Sequence, residues 1–335
     1  MSEPTPTTHP AATPADLPAA VRTPSAFADY VTLTKPRLNL LVVMTTCVAY
    51  YVGRRAGAPL AEFVHTVAGT TLVAAGASAL NQVWERDTDK LMRRTRRRPL
   101  PGERLKTTPA IAFGVALTVA GVAELWAFVN PLSALVAFVT MLTYVIWYTP
   151  LKLRSSLSTI VGAIPGALPA LIGWAAATNA LSLPGWALFA IVFFWQMPHF
   201  LAIAWMHRDD YARAGMPLLP VLEPDGGSTG RQAVLYAAAT IPVSLLPTAV
   251  GLAGPRFLAA ALVLGAIVLW LAFEFAATRS HAAARRLFFA TIIYLPLLWV
   301  VLVLDHSGLG TGPSLLSGPG TAIGWARAAT SLRQG

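Results

Sequence analysis

Cysteine is all but missing from this sequence: Cys47 is the only one, and it stands inside an apolar run. A lone thiol excludes an internal disulfide, a thiolate metal site and a C-x-x-C-H haem attachment. Charge is scarce as well, at 12% of 335 residues, where soluble domains carry about a quarter. Acid is scarcer than base, 15 side chains against 25, so the formal net charge is +10. What fills the space is hydrophobic, 55% of the residues, with a mean hydropathy of +0.58. The first thirty or so residues lack a compact apolar core after a basic start. Rich in Pro, Thr and Ala, they read as a disordered tail and not as a cleaved signal.

A bilayer core of about 30 Å takes roughly 20 apolar residues per helix. Nine such runs stand near 38–54, 64–84, 109–129, 131–149, 157–178, 185–206, 232–253, 257–278 and 286–304. Turn chemistry separates them, as at Asn130-Pro131 and Gly254-Pro255. The fold class predicted is all-α, a polytopic membrane bundle of nine transmembrane helices. It divides into a tail (1–30), an intramembrane domain (31–305) and a Gly/Ser-rich mobile tail (306–335). Ten Trp and eight Tyr suit a chain with two membrane interfaces to anchor. Trp126, Trp270 and Trp299 are the expected interface anchors.

With the N-terminus cytoplasmic, 20 of the 25 Lys and Arg fall on the cytoplasmic side, leaving Arg54, Arg55, Arg256, Arg327 and Arg333 outside. The asymmetry supports that orientation in a cell (inner) membrane. It also accounts for the net positive charge by anionic lipid, with no call for nucleic acid.

The same topology puts the polar segments 81–107, 150–156 and 207–231 on one side. Two of them concentrate acid: Glu85, Asp87, Asp89 and Glu103, then Asp209, Asp210, Glu223 and Asp225. The positive-inside rule explains cations but asks for no carboxylates. Asn81, Glu85 and Asp89 are spaced i, i+4, i+8 and form one stripe if the helix continues. Its ends then lie about 12 Å apart at roughly 1.5 Å per residue. One Mg²⁺ with ligands at about 2.1 Å cannot take all three from a straight helix. Two ions, or one ion and a partner segment, could. Asp87 points to another face. Oxygen ligands without His or Cys favour a hard cation, Mg²⁺ or Mn²⁺. Taken alone, the stretch reads equally as a helix end with i,i+4 ion pairs and a topogenic basic loop. The second acidic helix end, at Asp209 and Asp210, tips the reading toward two facing half-sites for a metal-bound diphosphate. A polyprenyl diphosphate suits such a bundle, since its tail partitions into lipid and its head to the charged rim.

Four stretches then carry a resemblance: "TKPRLNLLVV", "NQVWERDTDKLMRRTRRRPLP", "YTPLKLRSSLSTIVGAIPGALPALIGW" and "FFWQMPHFLAIAWMHRDDYARAGMPLLPV". Together they resemble the UbiA superfamily of intramembrane prenyltransferases, in its protoheme IX farnesyltransferase (haem O synthase) branch, over roughly residues 30 to 300. Leu153 departs from the pattern where a second cation usually follows Lys152, and Leu218 replaces a Met. The resemblance implies farnesyl transfer from farnesyl diphosphate to the vinyl group of haem B, giving haem O and diphosphate for terminal oxidase assembly. It implies Mg²⁺ as cofactor, held by Asn81, Glu85, Asp89 and Asp210. Lys35, Arg37, Arg94, Arg98, Lys152, Arg154 and Arg208 are implied for diphosphate or haem propionate, and Tyr148, Trp195, His199 and Tyr211 as further substrate contacts. Anionic lipids are expected partners, with haem A synthase a candidate.

His199, after Pro198 in an apolar run, reads as an axial haem ligand, a local base or a packing hydrogen bond. Glu124 and Glu274, also at membrane depth, match no motif and are assigned structural roles. A quinone-precursor prenyltransferase is the nearest alternative, disfavoured by W-Q-x-P-H-F. A secondary transporter is remoter, since no internal repeat is found and charge sits at one rim. A CDP-alcohol phosphotransferase would need a D-x-x-D-G-x-x-A-R run, which is missing.

Overall fold

The computed structural model describes residues 25–306 of the chain. Residues 26–30, which composition places in the tail, begin a short helix, α1 (Ala26–Leu33), capped by the Ser25 hydroxyl. The remainder of both expected tails lies outside the described residues. Long helices follow: α2 (Pro36–Gly53), α3 (Leu60–Trp84), then a six-residue α4 (Arg86–Leu91) and α5 (Thr107–Phe128). The next span is composite, α6 (Pro131–Leu142), a π-helical turn (Thr143–Tyr148) and α7 (Thr149–Leu151). After it come α8 (Ser158–Thr178), α9 (Leu183–Met206), and the short α10 (Arg208–Arg213) and α11 (Leu219–Leu222). The chain closes with α12 (Gly227–Ser244), α13 (Leu246–Ala249), α14 (Pro255–Thr278) and α15 (His281–Leu304).

Among the described residues, eight helical stretches are long and apolar enough to cross a membrane. The first of the nine expected runs is helical too, as the 18-residue α2, but is not among those eight. Many outward side chains are apolar, for example Val119 at 62% and Trp270 at 68% exposure, as lipid-facing surface requires.

Helices in such a setting gain little from the hydrophobic effect and associate by close van der Waals contact at small residues. The α3–α5 contact illustrates this. A Cβ on Gly121 would sit 2.6 Å from the Gly69 carbonyl oxygen, and one on Gly76 would meet the Gly114 carbonyl at the same distance. Gly173 of α8 lies tighter still against the Thr46 carbonyl of α2, where a Cβ would come to 2.2 Å. These contacts hold α3 upright, so that its final turn delivers Asn81 and Glu85 to one end of the bundle.

One expectation fails here. Trp299 is no interface anchor: it is 2% exposed, and its indole N–H donates to the Thr45 hydroxyl at 3.3 Å. Trp126 remains exposed near the end of α5. Glu124 faces His65 Nδ1 at 2.7 Å, and Glu274 pairs with Arg286.

Replacing Gly121 with Leu is expected to wedge α3 from α5. Thermal unfolding in detergent is expected to show a loss of about 1–3 kcal/mol, the usual cost of overpacking. An unchanged unfolding midpoint would mean the two backbones are not in the contact described.

Candidate functional site

The polar segments converge where α3, α7 and α9 end. The α-helix of α3 breaks at Glu85 (φ −84, ψ 2), yet Glu85 N–H still donates to the Asn81 carbonyl and Asp89 N–H to the Glu85 carbonyl. The stripe therefore continues through a kink into α4. Asn81, Glu85 and Asp89 are all buried, while Asp87 is exposed and pairs with its neighbour Arg86.

Each buried member of the stripe has a cationic or polar partner from another part of the chain. Lys35 donates to Asn81 Oδ1 at 2.6 Å, and Asn81 Nδ2 donates to the Thr149 hydroxyl at 3.0 Å. Lys152 donates to Glu85 Oε1 at 2.6 Å, with its ammonium 4.4 Å from the centre of the Tyr148 ring. Arg98 Nη1 donates to Asp89 Oδ2 at 2.8 Å. The other oxygen, Asp89 Oδ1, is buried without a hydrogen-bond partner.

Local structure explains these placements. Lys35 adopts a left-handed conformation (φ 47, ψ 56) just before Pro36, a strained position for a residue with a Cβ and a following proline. Asn39 Nδ2, donating to the Thr34 carbonyl at 2.6 Å, helps fix the turn. The π-helical turn 143–148, a feature that tends to mark functional sites, carries Tyr148 toward the cluster. Only glycine at 162 leaves room for its ring, since a Cβ there would approach Tyr148 to 2.4 Å.

Electrostatics follow from burial and mutual charge. Burial alone would raise the Glu85 carboxyl, but Lys152 and Lys35 outweigh it and hold it at about 2. Burial pushes Lys35 down to about 7 against the pull of Glu85. Lys152 is held well above its ordinary value, burial opposing but Glu85 winning.

Asp210 is tied to the same region from the far side of the sequence. Its Oδ1 accepts the Arg93 N–H at 3.2 Å and pairs with Arg213. Arg94 Nη2 donates to the Tyr211 hydroxyl at 2.9 Å, and Met92 packs with Ala204, Ala214, Met216 and Leu218. The two acidic helix ends thus meet, and Asp210 serves as a brace between them. Arg208 folds back over Trp205, 4.4 Å from the ring centre. Arg37 and Arg154 lie exposed and make no ion pair among the described residues.

Trp195 and His199 do not join this cluster. They lie about 17 and 10 Å down α9 from its end, both against Thr291 of α15. Trp195 Nε1 donates to the Thr291 carbonyl at 2.7 Å, and His199 Nδ1 lies 2.9 Å from the Thr291 hydroxyl. That hydroxyl donates its single proton to the Phe288 carbonyl. His199 Nδ1–H must then be the donor, which leaves Nε2 with a free lone pair.

Among the described residues no three His, Cys, Asp or Glu side chains gather as a metal cage. Mg²⁺ does not need one, because it binds through one or two carboxylates, water and substrate phosphate. The unpartnered Asp89 Oδ1 is a carboxylate oxygen of that kind. Sequence reading missed Thr149, which sits unremarked in the Y-T-P-L-K stretch. It also missed the buried Asp29, clamped by Arg104 at 2.8 Å, which pins α1 beside the Lys35 turn. Neither has a local signal.

A model of the UbiA prenyltransferase family matches residues 42–295. A protoheme IX farnesyltransferase of Solibacter usitatus (strain Ellin6076) is 47% identical over 290 residues, 84% of this chain and 99% of that protein. Another, of Opitutus terrae, is 44% identical over 282 residues, 84% of this chain and 95% of that protein. The solved structure of a UbiA homologue from Archaeoglobus fulgidus, bound to GPP and Mg²⁺, is alike in fold. Its TM-score is 0.58 at 15% identity, over 82% of this chain and 99% of that one.

Lys152→Met is expected to destabilise the protein by about 3 kcal/mol in detergent unfolding, because it strands a buried carboxylate. The double change Glu85→Gln with Lys152→Met is expected to recover most of that loss. If single and double variants unfold alike, the two groups do not act as a pair.

Proposed function

The chain belongs to the UbiA prenyltransferase family, and on that premise we propose that it farnesylates haem B to haem O. The reading is supported most by one observation: the acidic ends of α3–α4 and α9–α10 meet at one rim of an apolar bundle, surrounded by cations. The relatives' name, protoheme IX farnesyltransferase, supplies the substrates. The bundle has nine crossings, the α2 helix included, with the N-terminus cytoplasmic and the cluster on the cytoplasmic side of the inner membrane.

In the reaction, the bond between the allylic carbon of farnesyl diphosphate and its oxygen ionises, and the electron pair leaves with diphosphate. Lys35, Arg37, Arg94, Arg98, Lys152, Arg154 and Arg208 are the groups available to meet that charge or a haem propionate, with Tyr148 and Tyr211 beside them. Donors fixed in place before the reaction need no reorganisation as charge develops. The vinyl π bond of haem attacks the allylic cation. Water adds to the resulting cation and loses a proton, leaving a hydroxyethylfarnesyl substituent. The apolar helices keep water from the first cation.

Bound Mg²⁺ supplies positive charge to the departing diphosphate. Asp89 is the residue most ready to hold it, having a buried oxygen to spare. Asn81, Glu85 and Asp210 would supply further oxygen ligands at the same rim. The Nδ1–H tautomer of His199 leaves Nε2 free to meet haem iron, with Trp195 stacked alongside at 5.7 Å.

Purified protein given haem B, farnesyl diphosphate and Mg²⁺ in detergent is expected to yield haem O by mass spectrometry. Turnover of a quinone precursor instead of haem would replace this reading. Asp89→Ala is expected to lower transfer at least about a hundredfold, the scale of losing a group that stabilises developing charge, while insertion and haem binding persist. Normal turnover of that variant at limiting Mg²⁺ would refute the metal role. His199→Ala is expected to shift the Soret band of bound haem; an unmoved band with normal turnover would take His199 out of the site.

A further inference from the structure

At the end of the bundle opposite the polar cluster, α2 runs out at Gly53 into Arg54 and Arg55. These are two of only five cations that the proposed topology puts outside. The positive-inside bias gives no reason for a pair of arginines there. Neither makes an ion pair among the described residues; Arg54 lies 4.5 Å from the centre of the Tyr51 ring. Both arginines and His306 line a cavity of about 170 Å³. Tyr51 and Arg54 also belong to an adjoining cavity of about 410 Å³, lined by Cys47, Tyr50, Phe63 and Val303.

The two cavities form one slot graded along α2. Arg54, Tyr50 with Tyr51, and Cys47 are spaced i, i−4 with i−3, and i−7, so they descend one helix face. At about 1.5 Å per residue the tyrosines lie roughly 5–6 Å and Cys47 roughly 10 Å below the arginine. The order is cation, phenol, apolar. Tyr50 is 2% exposed, and its hydroxyl, directed at the Glu62 carboxylate, makes a polar step between the arginines and the apolar floor.

We propose that this slot holds an anionic phospholipid of the adjacent leaflet, with phosphate at Arg54 and Arg55 and an acyl chain in the apolar cavity. The larger cavity falls within the roughly 300–1,000 Å³ of ligand sites. The chain's own segment 307–335 leaves from His306, but it carries Arg327 and Arg333 and no acidic side chain. Its charge therefore disfavours it as occupant. Haem is disfavoured by distance, since the 18 residues of α2 put the slot about 27 Å from Lys35.

The test uses the full chain in detergent, incubated with equal phosphatidylglycerol and phosphatidylcholine and examined by native mass spectrometry. The wild type is expected to retain phosphatidylglycerol in preference. Arg54→Gln with Arg55→Gln is expected to reduce that preference about ten- to thirtyfold, the scale of two interfacial cations, with prenyl transfer unchanged. A phosphatidylglycerol carrying a photoreactive acyl chain is expected to label Phe63 and Val303, and Val303→Trp to abolish the label. An undiminished preference in the double variant would overturn the proposal. So would no retained lipid, or haem B retained in place of lipid and lost with the arginines.

Discussion

The ammonium of Lys152 lies 2.6 Å from a carboxylate oxygen of Glu85, at the rim of an apolar bundle. That contact joins segments 67 residues apart and brings the ends of two spans to the same level. Charges so placed are weakly hydrated, so neither could persist without the other. Asn81 extends the network to Lys35 on one side and Thr149 on the other. Arg98 and Asp89 form a second pair along the same stripe. The rim is therefore a fixed array of opposite charges, assembled before any substrate arrives.

Support for this array comes from below and from the side. The glycine contacts between α3 and α5 bring backbones within a distance that larger residues forbid. From the side, the Arg93 N–H bond to Asp210 and the seat of Met92 fasten the loop after α4 to the segment after α9. The result is a rigid polar cap on a set of helices whose interior is oil.

The sequence made the helices legible because length in apolar residues is what a bilayer selects. The run marked at 185–206 is α9, Leu183–Met206, and that at 257–278 is α14, Pro255–Thr278. The stripe at 81, 85 and 89 was legible for the same reason, since its i, i+4 spacing survives the kink at Glu85. What remained hidden has a common cause. Lipid and protein interior are equally apolar, so nothing in composition separates the lipid-facing Trp270 from the buried Trp299. Nor does local pattern reveal partners distant in sequence, such as Asp29 and Arg104 or Asn81 and Thr149. Asp210 was legible as part of the site but not as the acceptor that locks two loops together.

The π-helical turn at 143–148 closes its hydrogen bonds one residue later than the helix around it, i→i+5 in place of i→i+4, and so holds one extra residue. Deleting that extra residue would restore a regular α-helix and rotate everything beyond it by about 100° about the axis. Tyr148 and Lys152 would swing away from α3, and Glu85 would face oil. The register of Tyr148 and Lys152 is thus stored in a single supernumerary peptide, within the turn that ends at Tyr148.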